Sequence, residues 1–216
     1  MAQHNTGESQ SALSAKLRNE PVQARSTARL TRLLDAAAEV IDEIGFERLT
    51  TAMVAERAGA SIGTVYRYFP DRIAVLQSLS ARSTAEFIDE VTTAVRDQAH
   101  SDWITAFDAV LDLLHESFRS KSGFRSLRFG DVIDLKREDG AGSNGAVVAK
   151  AIADALTSRF ALEAADVTFH LEAALTIADA LFARSYATAS TGDDRFSAAA
   201  KSVAHDYLVQ EIGAST

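Results

Sequence analysis

Apolar residues recur at three- and four-residue steps along most of the chain, which is the spacing of an amphipathic helix. The first such stripe begins after Ser26, runs from Leu30 to Ile44, and ends at Gly45, a residue suited to a helix C-terminus. Later stripes predict helices at residues 71–95, 103–118, 147–160, 163–188 and 195–212. The pattern therefore predicts an all-α protein.

Residues 1–24 precede the first stripe and are polar and aperiodic, so they predict a flexible arm. The opening decapeptide "MAQHNTGESQ" lacks the apolar core of a signal peptide, and no apolar run reaches the length of a membrane span. The chain has no cysteine, which excludes a disulfide framework and thiolate metal sites. We therefore expect a cytoplasmic protein that does not bind membranes.

Two short helices are predicted between the first stripe and the long helix that Asp71 opens. Thr50 or Thr51 can cap the first, which ends at Ala58, and Ser61 can cap the second at residues 62–69. Gly59 between them supplies the left-handed residue of a tight turn. Two short helices joined by such a turn, after a longer helix, indicate a helix-turn-helix.

Three small or β-branched residues have the spacing that this motif requires. Counted from Thr51, Ala55 is at position 5, Gly59 at position 9 and Val65 at position 15. The two helices approach closely at these positions, so only residues of suitable shape fit there. An alanine-rich helical protein matches this spacing by chance often enough that it is only moderately specific.

The net charge of −8 first argues against a nucleic-acid partner, but its distribution removes that objection. Through Arg72, nine Lys and Arg residues balance nine Asp and Glu residues, and the remainder of the chain carries the whole deficit. Attraction to phosphate depends on the local patch of charge. An acidic body therefore does not prevent a basic amino-terminal region from binding DNA.

The strings "LTTAMVAERAGAS" and "GTVYRYFPDR", placed around a glycine turn, closely resemble the TetR family of bacterial transcriptional regulators over about residues 27–79. The resemblance implies a helix-turn-helix domain of three helices at 25–72. It also implies a helical effector-binding and dimerisation domain at 73–216. It further implies a homodimer that binds a palindromic operator in double-stranded DNA. Most such proteins are repressors released by a small molecule, and some activate.

The resemblance also implies which side chains face DNA. A recognition helix in the major groove needs small residues for close approach, and hydroxyl or guanidinium groups that reach phosphates and base edges. The matching positions are Thr51, Ser61, Gly63, Thr64, Tyr66, Arg67, Tyr68 and Arg72. Ile62 is not assigned, because it either contacts a thymine methyl group or packs inward.

The carboxyl-terminal half predicts an interface and a pocket. Broad apolar stripes at 163–188 and 195–212, joined by the turn "TGDD", predict a helical hairpin that pairs with its copy in a four-helix bundle. The aromatic-rich middle predicts a pocket for a partly apolar effector. Its candidate contacts are Trp103, Phe107, His115, Phe118 and His170.

Two other functional classes were weighed. The loop "GAGSNG" at 140–145 matches a dinucleotide-binding pattern, which would make the chain a nucleotide-binding enzyme. A strand does not run directly into its first glycine, however, so a loop between helices explains it better. The other class is a helix-turn-helix adaptor without a pocket. The histidines show no metal-ligand spacing, and we expect no metal and no cofactor.

Overall fold

The computed structural model describes residues 7–128, 143–162 and 166–213, with side chains from residue 23 onward. These ranges contain helices and one 3₁₀ turn, and no strand, which confirms the predicted all-α class. The elements are α1 (Gly7–Ile44), the 3₁₀ turn (Phe46–Arg48), α2 (Thr51–Arg57), α3 (Ile62–Tyr68), α4 (Arg72–Arg96), α5 (Trp103–Ser120), α6 (Phe124–Leu127), α7 (Asn144–Phe160), α8 (Val167–Ser185) and α9 (Asp194–Ile212).

Helix α1 begins at Gly7, well before the start that the apolar stripe predicts at Ser26. The stripe detects only the part of a helix that packs: side chains 23–29 are exposed, and burial begins at Leu33. The preceding residues are rich in Ala, Leu, Lys, Arg, Glu and Gln, which favour a helix without an apolar face. The flexibility of the arm and its boundary at residue 24 stay predictions.

Side-chain caps start the helices α2, α3 and α4. Thr50 accepts a hydrogen bond from the backbone N–H of Met53 at 3.2 Å, so Thr50 is the cap and Thr51 is the first residue of α2. Ser61 caps α3 and Asp71 caps α4 in the same way. Gly59 has φ +61°, the left-handed conformation that the turn between α2 and α3 requires.

The amino-terminal core is built from the inner faces of α1 to α4. The buried faces of the first three helices meet there, and Val54 and Val65 are fully buried. The core continues into the beginning of α4 and receives Leu127 from α6. Its main side chains are Leu33, Ala37, Ile41, Leu49, Val54, Val65, Phe69, Val75, Leu76, Leu79 and Leu127.

The second core surrounds α5, which packs against α4, α7, α8 and α9. It contains the fully buried rings of Phe87, Phe107, Phe118 and Phe182. Helices α8 and α9 pack extensively on each other, as the predicted hairpin requires. At their turn, the Ser185 hydroxyl lies 2.9 Å from the carbonyl of Asp193.

Short contacts join the two cores. Phe124 and Leu127 lie on the single turn of α6, yet Phe124 packs into the second core and Leu127 into the first. The backbone N–H of Gly123 donates to Oδ1 of Asp42 on α1 at 2.8 Å. Arg82 of α4 forms a 2.7 Å ion pair with Asp35 of α1. The amino-terminal helices are thus fixed to the carboxyl-terminal helices at several points.

Candidate DNA-binding surface and effector domain

Helix α3 carries most of the predicted DNA contacts and leaves them near solvent. Val65 faces the core, whereas Gly63, Tyr66 and Arg67 are exposed. Tyr66 is 54% exposed, which is unusual for a large aromatic side chain that has no outside partner. The helix therefore buries one narrow stripe and presents a broad polar face.

Gly63 lies at the first turn of this face with free space above it. A Cβ built on it would meet no atom within 4 Å, and its φ is not in the left-handed region. Among the described residues, none therefore requires a glycine at this position. The absence of a side chain matters only to a molecule that approaches the helix from outside.

The hydroxyl groups around α3 are already paired within the chain. Oγ of Ser61 lies 2.9 Å from Oγ1 of Thr64 and also accepts the Thr64 N–H at 3.2 Å. Thr51 at the start of α2 donates to the Tyr66 hydroxyl at 3.4 Å. These bonds place Thr51, Ser61, Thr64 and Tyr66 together on one surface.

Tyr68 and Arg72 are more enclosed than their predicted roles suggest. The half-buried ring of Tyr68 packs against the amino-terminal core, and its hydroxyl lies 3.1 Å from Oγ of Ser26 on α1. The Arg72 guanidinium donates to the carbonyl of Glu47 at 2.5 Å. Both side chains therefore tie neighbouring helices together, and their contacts with phosphate stay predictions.

Two residues near this surface were not assigned from the sequence. Ile62 is 42% exposed at the start of α3, so of its two interpretations the inward packing is wrong. Ser26 contacts Tyr68 across 42 positions of sequence. No motif marks a serine on an exposed helix as a partner of a distant tyrosine, so only the fold reveals this contact.

The five effector candidates do not meet in one pocket. Trp103 and Phe118 are both buried in the second core but lie at opposite ends of α5, about 22 Å apart along its axis. His115 belongs with Phe118, because its ring stacks on Phe182 at 4.8 Å and Phe118 packs on the same ring at 5.8 Å. Phe107 is buried between these two ends.

The remaining candidate, His170, is part of the contact between α8 and α9. Its Nδ1 lies 3.0 Å from the hydroxyl of Tyr207. His115 is bound in a similar way, with Nε2 3.0 Å from the hydroxyl of Tyr186. The pKa of His115 is lowered, first by burial and then by the charges of Lys201 and Arg119. An effector role for the five residues stays a prediction.

An open groove of about 770 Å³ lies between α7 and α8. Asp154, Asp166 and Glu172 contribute carboxylates to it, and Phe169 contributes an aromatic ring. Within the described ranges, no group of three or more His, Cys, Asp or Glu residues could hold a metal ion. None of the helices in those same ranges combines the length and the apolar character needed to cross a membrane.

The glycine-rich loop at 140–145 lies partly outside the described residues, which resume at Ser143. Ser143 caps α7 by accepting the N–H of Ala146 at 3.0 Å, and Asn144 and Gly145 form the first turn. No strand occurs in the described residues before it. The second half of the loop thus serves as a helix start.

Two curated relatives match up to half of the chain. The fatty acid metabolism regulator protein of Bacillus subtilis is 26% identical over 108 residues, which is 50% of this chain and 53% of that protein. The transcriptional repressor KstR of Rhodococcus jostii is 43% identical over 54 residues, 25% of this chain and 26% of that protein. The chain thus spans about half or less of the length of these relatives.

Solved structures match over most of the chain. A TetR-family transcriptional regulator from Streptomyces coelicolor superimposes with a TM-score of 0.71 at 28% identity, covering 85% of this chain and 99% of that one. The fatty acid degradation regulator FadR of Bacillus halodurans gives a TM-score of 0.66 at 17% identity, covering 83% and 94%. The second likeness shows the fold alone.

Two family models match the chain, one for an amino-terminal domain and one for a carboxyl-terminal domain. Residues 33–79 match the bacterial regulatory proteins of the tetR family, and this range contains the helix-turn-helix. Residues 101–212 match the tetracyclin repressor-like carboxyl-terminal domain, and this range contains α5 to α9. The chain belongs to the tetR family of bacterial regulatory proteins.

Proposed function

We propose that this protein is a cytoplasmic, ligand-responsive transcriptional repressor that binds a palindromic operator as a homodimer. The observation that carries the proposal is the exposed face of α3, with Gly63 open to solvent beside Thr64, Tyr66 and Arg67. A helix with this face can enter the major groove, where a bare backbone at its first turn approaches the base edges.

Helices α8 and α9 support the dimer. Phe169 on α8 is 63% exposed and Val203 on α9 is 46% exposed, so each helix presents a large apolar side chain to solvent. Exposed apolar residues on a paired hairpin fit an interface with a second copy. Two copies related by a twofold axis would place their α3 helices about 34 Å apart, one turn of DNA.

The effector is proposed to be a partly apolar small molecule that enters the carboxyl-terminal domain. Its first probe is a fatty acyl-CoA, since a relative matched over half of this chain is a fatty acid metabolism regulator. The effector causes release of DNA only if it binds more tightly to the protein conformation that does not bind DNA. We propose no catalytic activity, because the matching family is one of regulatory proteins and the described part of the glycine-rich loop, Ser143 to Gly145, starts a helix.

Selection from a random duplex pool tests the proposal. The wild type should enrich one palindrome, stearoyl-CoA should release that duplex in a gel-shift titration, and free coenzyme A should not. A promoter carrying the palindrome should be silenced in a reporter strain. Failure to enrich any sequence would contradict DNA recognition; enrichment without release would reject only the acyl-CoA probe.

Arg67→Ala distinguishes base reading from phosphate binding on the selected duplex. If Arg67 binds a guanine, the variant should lose about 1–3 kcal/mol on the selected palindrome and almost nothing on random DNA. Competitive fluorescence anisotropy with both duplexes gives the two losses. Equal losses would show that Arg67 holds a phosphate.

A further inference from the structure

The middle of α1 carries an arginine face that the described side chains leave without an acidic partner. Arg25, Arg29 and Arg32 recur at four- and three-residue steps, so they lie on one side of the helix. All three are exposed. Among the residues whose side chains the structure describes, no carboxylate lies within ion-pair distance of them. We call these three residues the α1 arginine face.

The acidic residues farther along α1 are engaged elsewhere. Glu39 and Glu43 continue the same side of the helix, and both bind Arg57 of α2, at 3.2 and 2.7 Å. The hydrogen bond from Arg57 lowers the pKa of Glu43. Asp35 binds Arg82 of α4. Helix α1 thus separates its charges: carboxylates at its carboxyl-terminal end pair with Arg57 and Arg82, whereas the arginine face has no acidic partner among the described side chains.

The contact between Ser26 and Tyr68 places the segment of α1 that carries the α1 arginine face beside the end of α3. Arg25 and Arg29 lie within one helical turn of Ser26, whose hydroxyl is 3.1 Å from that of Tyr68 at the end of α3. Arg67 precedes Tyr68 and is exposed. Arg25 and Arg29 therefore lie on α1 close to the end of α3 and beside the proposed DNA-binding surface.

We propose that the α1 arginine face binds the DNA backbone beside the half-site contacted by α3, and that the Ser26–Tyr68 bond sets its angle to the duplex. This inference rests on the proposed function. Arginine at such a site neutralises phosphates without reading bases, because the phosphate oxygens carry no sequence information. It adds affinity and salt dependence to a protein whose net charge of −8 opposes DNA binding.

The test compares the salt dependence of operator binding. The variant Arg25→Gln/Arg29→Gln/Arg32→Gln removes six charges from a dimer, and each phosphate contact contributes roughly 0.9 to the slope of log affinity against log salt. The slope should therefore become shallower by up to about five, and affinity at physiological salt should fall at least tenfold. The matched control is Arg96→Gln/Arg119→Gln/Lys150→Gln, which changes the same charge on exposed positions of α4, α5 and α7. It should keep the wild-type slope.

Four outcomes decide the inference. A shallower slope with an unchanged selected palindrome supports it. A triple variant with the wild-type slope on a duplex that the wild type binds overturns it and leaves the proposed function intact. An altered palindrome also overturns it, because the arginines would then read bases. A wild type that binds no duplex overturns the proposed function and this inference together.

The positioning role of Ser26 has its own readout. Ser26→Ala removes the hydroxyl from an exposed helical position, so the thermal unfolding midpoint should stay within about 1 °C. Its salt slope should nevertheless become shallower, but by less than that of Tyr68→Phe, which also removes the 3.5 Å hydrogen bond from the Tyr68 hydroxyl to the carbonyl of Ser26. A wild-type slope for Ser26→Ala would show that the arginine face needs no such positioning.

Discussion

The side chains around α3 differ in what the sequence could predict of them. The polar face of α3 follows from local spacing, since Val65 faces inward and its neighbours Tyr66 and Arg67 cannot. The internal contacts of Tyr68 and Arg72 do not follow from spacing, because their partners Ser26 and Glu47 are 42 and 25 positions away. Sequence patterns report the face of a helix, and distant partners depend on how helices cross.

Gly63→Val should abolish operator binding while the fold and the dimer remain. A Cβ at this position meets no atom of the described residues within 4 Å, and the backbone φ is not left-handed, so folding should tolerate valine apart from the modest helix cost of a β-branched residue. It would instead occupy the space between helix and base edges. Gel shift against the selected palindrome measures binding, and circular dichroism and light scattering measure fold and mass.

Glycine-to-alanine substitution at the same position gives the graded control. A single methyl group should weaken binding less than valine does and leave the thermal midpoint unchanged or higher, because alanine favours a helix. A Gly63→Val protein that selects the wild-type palindrome would show that the recognition surface lies elsewhere.

His115 should make the carboxyl-terminal domain less stable in mild acid. Burial against Phe182, and then Lys201 and Arg119, lower its pKa below the ordinary value of about 6.5. As pH falls through 6.5, the unfolded chain takes up the proton before the folded chain does, so stability declines until the pH passes below the folded pKa. The loss in thermal midpoint from pH 7.5 to 5.5 should be smaller in His115→Gln. An equal loss in both proteins would contradict this assignment.

At the level of helices, the periodic pattern predicted the existence and type of the long packed helices, because such helices bury one regular stripe. It failed where the side chains of a helix are exposed, as at residues 23–29 of α1, and it gave no sign of the single turn α6. On α8 and α9, the pattern also did not distinguish the apolar side chains that pack in the chain's own core from those that face outward. Leu175 is 8% exposed and belongs to the chain's own core, whereas Phe169 faces outward.

Phe169→Glu and Val203→Glu should weaken the proposed dimer without unfolding the protomer. Both side chains are exposed in the single chain, so the charge is buried only when two copies associate, and burying it unpaired is costly. Sedimentation velocity over a dilution series should show more monomer for each variant than for the exposed control Gln98→Glu. If both variants dissociated no more than the wild type, Phe169 and Val203 would not lie in the dimer interface. Leu175→Glu is unsuitable because it would disrupt the core of each chain.

For the whole molecule, the packing between the two cores determines how far a displacement in one domain moves the helices of the other. Leu127 fills the amino-terminal core although it follows α5 in sequence. Gly123 lies so close to α1 that an added Cβ would be 3.2 Å from the Cα of Ala38. A close, directional contact transmits displacement better than a loose one, since packed interfaces resist gradual deformation.

Asp42→Ala should lower the free energy of unfolding by about 1–3 kcal/mol, because it leaves the buried N–H of Gly123 without its acceptor. Urea denaturation followed by Trp103 fluorescence, which reports the second core, should show the shift although Asp42 lies on α1. Asp35→Ala loses a more exposed ion pair and should cost less. An unchanged Trp103 transition in Asp42→Ala would show that the two cores unfold independently.

The shared single turn of α6 also limits how hybrid regulators can be made from this protein. In a chimera cut at residue 72, Leu127 of this chain would have to pack into the core of a foreign amino-terminal domain. The foreign α1 would also lack Asp42, the acceptor for the N–H of Gly123. Exchange of operator specificity therefore requires either a donor domain whose α1 accepts both contacts or a graft confined to the outward positions of α3. The second design keeps every side chain that the two cores share.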